Sequence, residues 1–361
     1  KTIRMEDTDS PLPKHWKSGS LKYDNFQPLA EGGSASIQTC LDKNLHRVVA
    51  YKSLHPHLLD SELEIGRFTR EARVTAMISH PGTVPVYEMG RDRSGNLYFT
   101  MKKLEGRDLR SILLGIAAKN PNIEREFPLS RLIDILIQAC QTVSFAHAQG
   151  VIHRDLKPAN ILVGGFGEVM VLDWGLAKVR GEKDQIVDEE IGEQTTGEKG
   201  IAMELTQPGQ RYGTPLYMSP EQAVADAEID ERTDVYNLGS ILYEMLTHKN
   251  LVWGTSVEEV MDQIKNRPTP IPSEVAPALR IPKELEAICL QAIQKKPEDR
   301  YLSVKDFAED LQRYRDGLPV SVCQDLWSHV RRWAYDHALA LVAIGSALAG
   351  ALVGWLLMRQ P

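Results

Sequence analysis

His153-Arg154-Asp155-Leu156-Lys157-Pro158-Ala159-Asn160 is followed, thirteen residues after Asn160, by Asp173-Trp174-Gly175. Between the two motifs, Ile161 to Val163 and Val169 to Leu172 are apolar runs of strand character, and Gly164, Gly165 and Gly167 supply the turn that joins them. A hairpin of this length carries Asp173 back beside Asp155 and Asn160. The result is a carboxylate able to orient a hydroxyl, with an amide and a second carboxylate able to hold magnesium, which is the set that phosphoryl transfer needs. One three-letter motif is common by chance; both, in this order and with a hairpin between them, are not.

Working outward, the chain before the hairpin reads as two regions. Short strands follow Asp24: Phe26 to Ala30 and Ala35 to Leu41 flank a glycine turn, and Arg47 to Ser53 follows Asp42-Lys43-Asn44. Ser61 to Ser79 is expected to be a helix, with Ile65, Phe68, Ala72, Thr75 and Ala76 at three-to-four spacing. Val84 to Met89 and Leu97 to Met101 return to strand. After Gly106 the chain becomes mostly helical: Leu129 to Gln149 carries one apolar stripe and stops at Gly150, and further helices are expected over Thr233–Thr247, Pro282–Lys295 and Val304–Arg315. No internal repeat is apparent.

At the two motifs the chain resembles the catalytic loop and metal-binding loop of protein kinases, specifically the bacterial, eukaryotic-like (Hanks-type) serine/threonine kinases. The resemblance covers roughly residues 23–316. It implies an α+β, two-lobed kinase fold: a small β-rich N-lobe with one helix (23–103) and a larger helical C-lobe (104–316) whose activation segment runs over 173–221. ATP and Mg²⁺, with Mn²⁺ as an alternative ion, are the implied cofactors, and protein serine and threonine hydroxyls the implied substrates.

Carried over residue by residue, the resemblance makes Asp155 the orienter and acceptor of the substrate hydroxyl proton, and Lys157 a neutraliser of charge on the moving phosphoryl group. A lysine at that place looks like the serine/threonine class rather than the tyrosine class. Asn160 and Asp173 become the magnesium ligands. Val49-Ala50-Tyr51-Lys52 resembles the strand that offers a lysine to the α- and β-phosphates, with Glu71 as its ion-pair partner. Leu29-Ala30-Glu31-Gly32-Gly33-Ser34-Ala35-Ser36-Ile37 stands in the place of the glycine-rich phosphate loop. Here Ala30 and Ala35 replace two of the family's three glycines and only Gly32 is kept. The implied nucleotide contacts are Leu29, Ala30, Gly32, Gly33, Ala35, Ile37, Ala50, Lys52, Met101 and Lys103, the last two at the connection between lobes. Trp174 stands where phenylalanine is usual.

The resemblance also assigns architectural residues. Glu221, ending Gly213-Thr214-Pro215-Leu216-Tyr217-Met218-Ser219-Pro220-Glu221, pairs with Arg300, and Asp234 anchors the catalytic-loop backbone. Thr214 helps position substrate beside Asp155. His153 is expected to pack rather than to act as a base. Arg154 commonly receives a phosphate from the activation loop, for which Thr206 is the first candidate and Thr195 and Thr196 the next. Residues 181–204 hold eight Asp or Glu against two Lys, an acidic insert expected to be mobile. Two rivals to an active protein kinase are a pseudokinase scaffold, suggested by the missing glycines, and a small-molecule kinase of related fold, opposed by the Gly213–Glu221 segment.

Composition sets the remaining bounds. A chain of 361 residues with formal charge −7 is ordinary and mildly acidic, which argues against nucleic acid as a partner. Cys40, Cys140, Cys289 and Cys323 lack metal-ligand spacing and imply no disulfide framework. The first residue is Lys1 and not methionine, so a segment of a longer product is expected. Residues 1–22 read as an extended leader. Ala338 to Met358 is 21 residues without a charge, expected as a single transmembrane helix after a juxtamembrane segment at 317–337 containing Trp327, Arg331, Arg332 and Trp333. That reading puts the kinase region in the cytoplasm and the C-terminus across the membrane. Ser346, Gly350 and Gly354 fall at every fourth position, a face that would allow a homodimer and phosphorylation in trans.

Overall fold

The computed structural model describes residues 17–179, 215–224 and 229–323. Five antiparallel strands form the first sheet: β1 (Tyr23–Glu31), β2 (Ala35–Asp42), β3 (Arg47–Leu54), β4 (Val86–Arg91) and β5 (Leu97–Lys102), in the order β1-β2-β3-β5-β4. The central strands β3 and β5 bury Val49, Ala50, Tyr51, Leu54, Tyr98 and Phe99, as the β-branched and aromatic content of both runs requires. One face packs Leu54, Phe99 and Ala35 against Phe68 and Ala72. The other stacks Tyr51 on Tyr98, with ring centroids 4.6 Å apart.

The helix α1 (Glu62–Met77) starts at Ser61, whose Oγ accepts from the Glu64 N–H at 3.3 Å, with Glu62 and Glu64 in the positive first turn. Its apolar side divides along its length. Phe68 and Ala72 belong to the core under the sheet, whereas Val74 and Ile78 beyond them belong to the large core of the helical region. Glu71 lies between Phe68 and Ala72, on the turn of α1 just ahead of the point where its packing passes to the large core.

The helical region begins after a short strand, β6 (Gly106–Asp108), with α2 (Leu109–Ala117), α3 (Pro121–Glu126) and the long α4 (Leu129–Ala148). Gly150, at φ +78°, turns the chain out of α4. The strand pair β7 (Val151–Ile152) with β10 (Lys178–Val179) and the hairpin β8 (Ile161–Gly164) with β9 (Val169–Val171) bracket the two motifs, and β6 pairs with β8. Beyond them lie α5 (Arg232–Thr247), α6 (Val257–Asn266), α7 (Pro272–Val275), α8 (Lys283–Ala292) and α9 (Val304–Arg315). Helix α5 is buried on nearly all sides, the axis around which α4, α8 and α9 assemble. Its side chains Val235, Leu238, Ile241 and Leu242 are fully enclosed, each contributing about 1.5–3 kcal/mol by the ordinary transfer scale.

Two lobes of the anticipated kind are therefore present, but the fold expected from the sequence included a transmembrane helix, and that part is corrected. Among the described residues no helix is long and apolar enough to cross a membrane. The longest, α4, has 20 residues, yet it carries Arg131, Asp134, Gln138 and Gln141 among its polar positions and is a one-sided packing helix. Residues 338–358, on which the expected span fell, lie outside the described residues. So do the Ser346/Gly350/Gly354 face, most of the 317–337 segment, the acidic insert at 181–204 and most of the leader.

Candidate active site

Lys52 is presented by β3, two residues before the buried Leu54 and directly paired in register with Phe99 of β5. Its Nζ donates to both Glu71 carboxylate oxygens, at 2.6 and 2.7 Å. Burial pushes the Glu71 carboxyl up from its ordinary value; the Lys52 ammonium pulls it down, and the charge of Asp173 pushes it up again. An ion pair so enclosed is held by geometry, because α1 cannot rotate Glu71 away without lifting Val74 and Ile78 from the large core.

On the opposite side, Asp155, Lys157 and Asn160 form one cluster. Lys157 Nζ donates to Asp155 Oδ2 at 2.7 Å, and Asn160 Nδ2 donates to the Asp155 carbonyl at 2.8 Å and to its Oδ2 at 3.3 Å. The Asn160 amide oxygen takes no hydrogen bond from the described residues. Burial raises the Asp155 carboxyl above its ordinary value; Lys157 opposes this, and Asp173 adds to it. Asp173 thus acts electrostatically on both Glu71 and Asp155, which marks the point where the two halves of the cleft meet.

The hairpin read from sequence is what brings them together. β8 and β9 pair Ile161 with Val171, and the Leu172 N–H donates to the Asn160 carbonyl at 2.8 Å. Asp173 then takes a left-handed conformation at φ +62°. Gly175 follows because a Cβ there would stand 3.3 Å from Asp173 Oδ1 and 3.9 Å from Glu71 Cβ. Trp174 is 0 % exposed in the large core, with its ring centroid 4.5 Å from that of His153, and its indole N–H finds no partner among the described residues.

His153 packs as expected and also does more. Its Nδ1 accepts from the Asp155 N–H at 3.2 Å, so Nε2 carries the proton given to the Leu172 carbonyl at 3.0 Å. One imidazole therefore ties the backbone at Asp155 to the residue before Asp173. Asp234, wholly buried in α5, accepts from the N–H groups of His153 and Arg154 at 2.8 and 2.9 Å and from His147 Nε2 at 2.7 Å. Burial alone would raise its carboxyl, but the His147 bond and these backbone donors outweigh that and hold it below the ordinary value. Arg154 itself is at φ +68°, a strained geometry that the two Asp234 bonds hold in place.

Glu221 and Arg300 pair through two bonds of 2.7 Å, and Thr233 Oγ1 gives Glu221 a third at 2.7 Å. The adjacent Gln222 Nε2 donates to the Arg154 carbonyl at 2.7 Å. Gln222, His147 and Thr233 were not legible as site-supporting residues, since no local pattern signals their bonds to Arg154, Asp234 and Glu221. Arg70, on the turn of α1 before Glu71, donates to the Ala177 carbonyl at 3.1 Å and fixes the chain just after Asp173.

The residues expected on the nucleotide side are arranged as follows. Ala50 pairs with Met101 across β3 and β5, and Met101 packs on the core under the sheet. Leu29 is exposed on β1, Ile37 is half-buried on β2, and Ala30 pairs with Ile37. Lys103 turns to Glu105, at 2.9 Å. A separate cavity of about 340 Å³ lies behind the lobe connection, lined by Lys102 to Gly106 and the β8–β9 hairpin, and shares only Lys103 with this set. Thr195, Thr196, Thr206 and Thr214 lie outside the described residues.

Among the described residues no three His, Cys, Asp or Glu side chains could hold a metal ion by themselves. The residues present fit magnesium only as a short donor set, one carboxylate at Asp173 and the Asn160 amide oxygen, in a region where the charge of Asp173 helps to push the Glu71 and Asp155 carboxyls up. Mg²⁺ is characteristically held by one or two protein carboxylates with phosphate oxygens and water completing its octahedron.

Comparison with known proteins bears on the same span. The chain is 35% identical over 347 residues to a serine/threonine-protein kinase PknD of Chlamydia muridarum, covering 92% of this chain and 36% of that protein. Similar proteins of the same designation occur in Chlamydia pneumoniae, 33% identical with 82% of this chain and 31% of the relative covered, and in Chlamydia trachomatis serovar D, 35% identical with 92% and 36% covered. The chain thus spans about a third of the length of these relatives. The family model for the protein kinase domain matches residues 23–310, from the first strand of the sheet to the middle of α9. With the whole sheet and most of the helical lobe inside that match, the chain belongs to the protein kinase domain family.

Proposed function

We propose that this chain is a serine/threonine protein kinase that transfers the γ-phosphoryl group of ATP, with Mg²⁺, to serine and threonine hydroxyls of proteins. The observation that carries the reading is the simultaneous presence of a closed Lys52–Glu71 pair and of Asp173 acting on both Glu71 and Asp155. Lys52 is positioned to meet the α- and β-phosphates. Asp155 accepts a hydrogen bond from the substrate hydroxyl, and Lys157 lies 2.7 Å from it to balance charge. Asn160 and Asp173 would hold Mg²⁺, which when bound would supply charge neutralisation to the phosphates. The similarity to bacterial kinases named for serine and threonine supports that substrate class, as does Lys157.

The test is incubation of the purified chain with ATP and Mg²⁺, then mass-spectrometric mapping of phosphorylated residues, beside Asp155→Ala. The expected result is labelling of serine or threonine in the wild type, with Thr206 and then Thr195 or Thr196 the first places to look, and none in the variant. Equal labelling of both proteins, or none in a folded wild type that binds ATP, returns the scaffold reading.

A further inference from the structure

The turn between β1 and β2 is held from outside itself. Within it, the Gly32 N–H donates to the Ala35 carbonyl at 2.9 Å. The next element to touch it is His55, the residue after β3, 23 positions later in sequence. The His55 backbone N–H donates to the Ser34 carbonyl at 2.9 Å, extending the β2–β3 ladder past the pair Ala35–Leu54. The His55 ring crosses to Gly32, with Nε2 2.9 Å from the Gly32 carbonyl and 3.5 Å from Glu31 Oε1. Both neighbours are acceptors only, so Nε2 is the donor.

A planar trans peptide points its C=O and its N–H in opposite directions. Gripping the Gly32 carbonyl therefore fixes the Gly33 N–H on the far side of that peptide. The N–H groups of Gly33 and Ser34 donate to nothing among the described residues, so they are available to an anion. Without the grip, this peptide is the one most free to turn over, because it joins two glycines and a Cβ at Gly33 would meet nothing within 4 Å. His55 lies three residues beyond Lys52, so one strand end sets both the phosphate lysine and the loop opposite it.

We propose that His55 is a positioning residue for the nucleotide: its Nε2–H locks the Gly32–Gly33 peptide so that the Gly33 N–H faces the triphosphate. This inference rests on the kinase reading above. It explains how a loop with Ala30 and Ala35 in place of glycines still keeps one defined donor orientation. The role belongs to Nε2, and that makes it separable from packing: the glutamine amide nitrogen reaches the Nε2 position, the asparagine amide nitrogen only the Nδ1 position.

The experiment measures ATP and adenosine affinity, and KM for ATP, for the wild type, His55→Ala, His55→Asn and His55→Gln. One lost neutral hydrogen bond corresponds to a roughly three- to tenfold weaker ATP affinity. H55A and H55N are expected to lose that much in ATP affinity and KM, with adenosine affinity and melting temperature unchanged and H55Q back within about twofold of the wild type. A parallel loss of adenosine affinity, or a failure of H55Q to recover while H55N does, overturns the role of His55. ATP affinity equal in H55A and wild type overturns it as well. Wild-type protein that binds no ATP overturns the kinase reading itself and this role with it.

Discussion

Removing the Glu221 carboxylate is the perturbation whose size the structure fixes best. Arg300 is 0 % exposed and Glu221 7 %, and two bonds of 2.7 Å join them. Deleting one partner of a buried pair leaves an uncompensated charge, at about 3–5 kcal/mol. Arg300 keeps the carbonyls of Gln294 at 2.8 Å, Arg232 at 2.9 Å and Lys295 at 3.0 Å, which selects the lower end. Thr233 Oγ1 loses its acceptor inside the core and adds about 1 kcal/mol. Glu221→Ala should therefore destabilise by about 4 kcal/mol, a fall in melting temperature on the order of 10 °C for a protein this large. Thermal unfolding followed by circular dichroism reads it directly. Glu221→Leu with Arg300→Met, which removes both charges, should recover much of the loss, as apolar replacements of whole buried pairs often do. Because Gln222 holds the Arg154 carbonyl, E221A should also lose activity below its melting temperature. A melting temperature within about 2 °C of wild type would mean the pair is not the buried tie described, and the reasoning fails.

Two further outcomes follow from the site. Trp174→Phe removes ring volume but also a buried N–H without a partner, two effects of opposite sign and similar size, so its stability in denaturant titration should stay within about 1 kcal/mol of wild type; Trp174→Ala, which leaves only a cavity, should lose about 3–5 kcal/mol, and equal losses in both would refute the argument. The pH profile of kcat/KM should show an acid limb from Asp155. Its carboxyl is raised in the folded protein, chiefly by burial, so the competent carboxylate is lost as pH falls through a value above that of an ordinary aspartate. An acid limb at or below the ordinary value would count against Asp155 as the group that orients the hydroxyl.

What could be read without coordinates followed local rules. The hairpin between Asn160 and Asp173 was legible because glycines between two apolar runs permit the tight turn that pairs them, and the structure pairs Ile161 with Val171 as that reading requires. Helix α9 begins and ends where the sequence put it, since Ser303 caps it and the apolar positions keep one period. Helix α1 was expected over Ser61–Ser79 and forms over Glu62–Met77 with Ser61 as its cap. Strand β6 and helix α6 were missed: three residues of strand carry no periodicity, and β6 exists only because Leu162 and Val163 offer it an edge.

Other decisions needed the third dimension. That α1 straddles two cores, and so keeps Glu71 on Lys52, depends on which residues lie beyond Phe68 and Val74 in space. That His153 links two loops depends on its tautomer, set by one N–H and one carbonyl 17 residues apart in sequence. The uncharged run at 338–358 suggested a span by composition alone, while every described helix carries polar positions on one side or is too short. Sequence determined which residues could do chemistry, because chemistry follows from side-chain type and short spacing. Only the tertiary structure decided which of them share a cleft and what holds them there, because those bonds join residues whose separation along the chain carries no local signal.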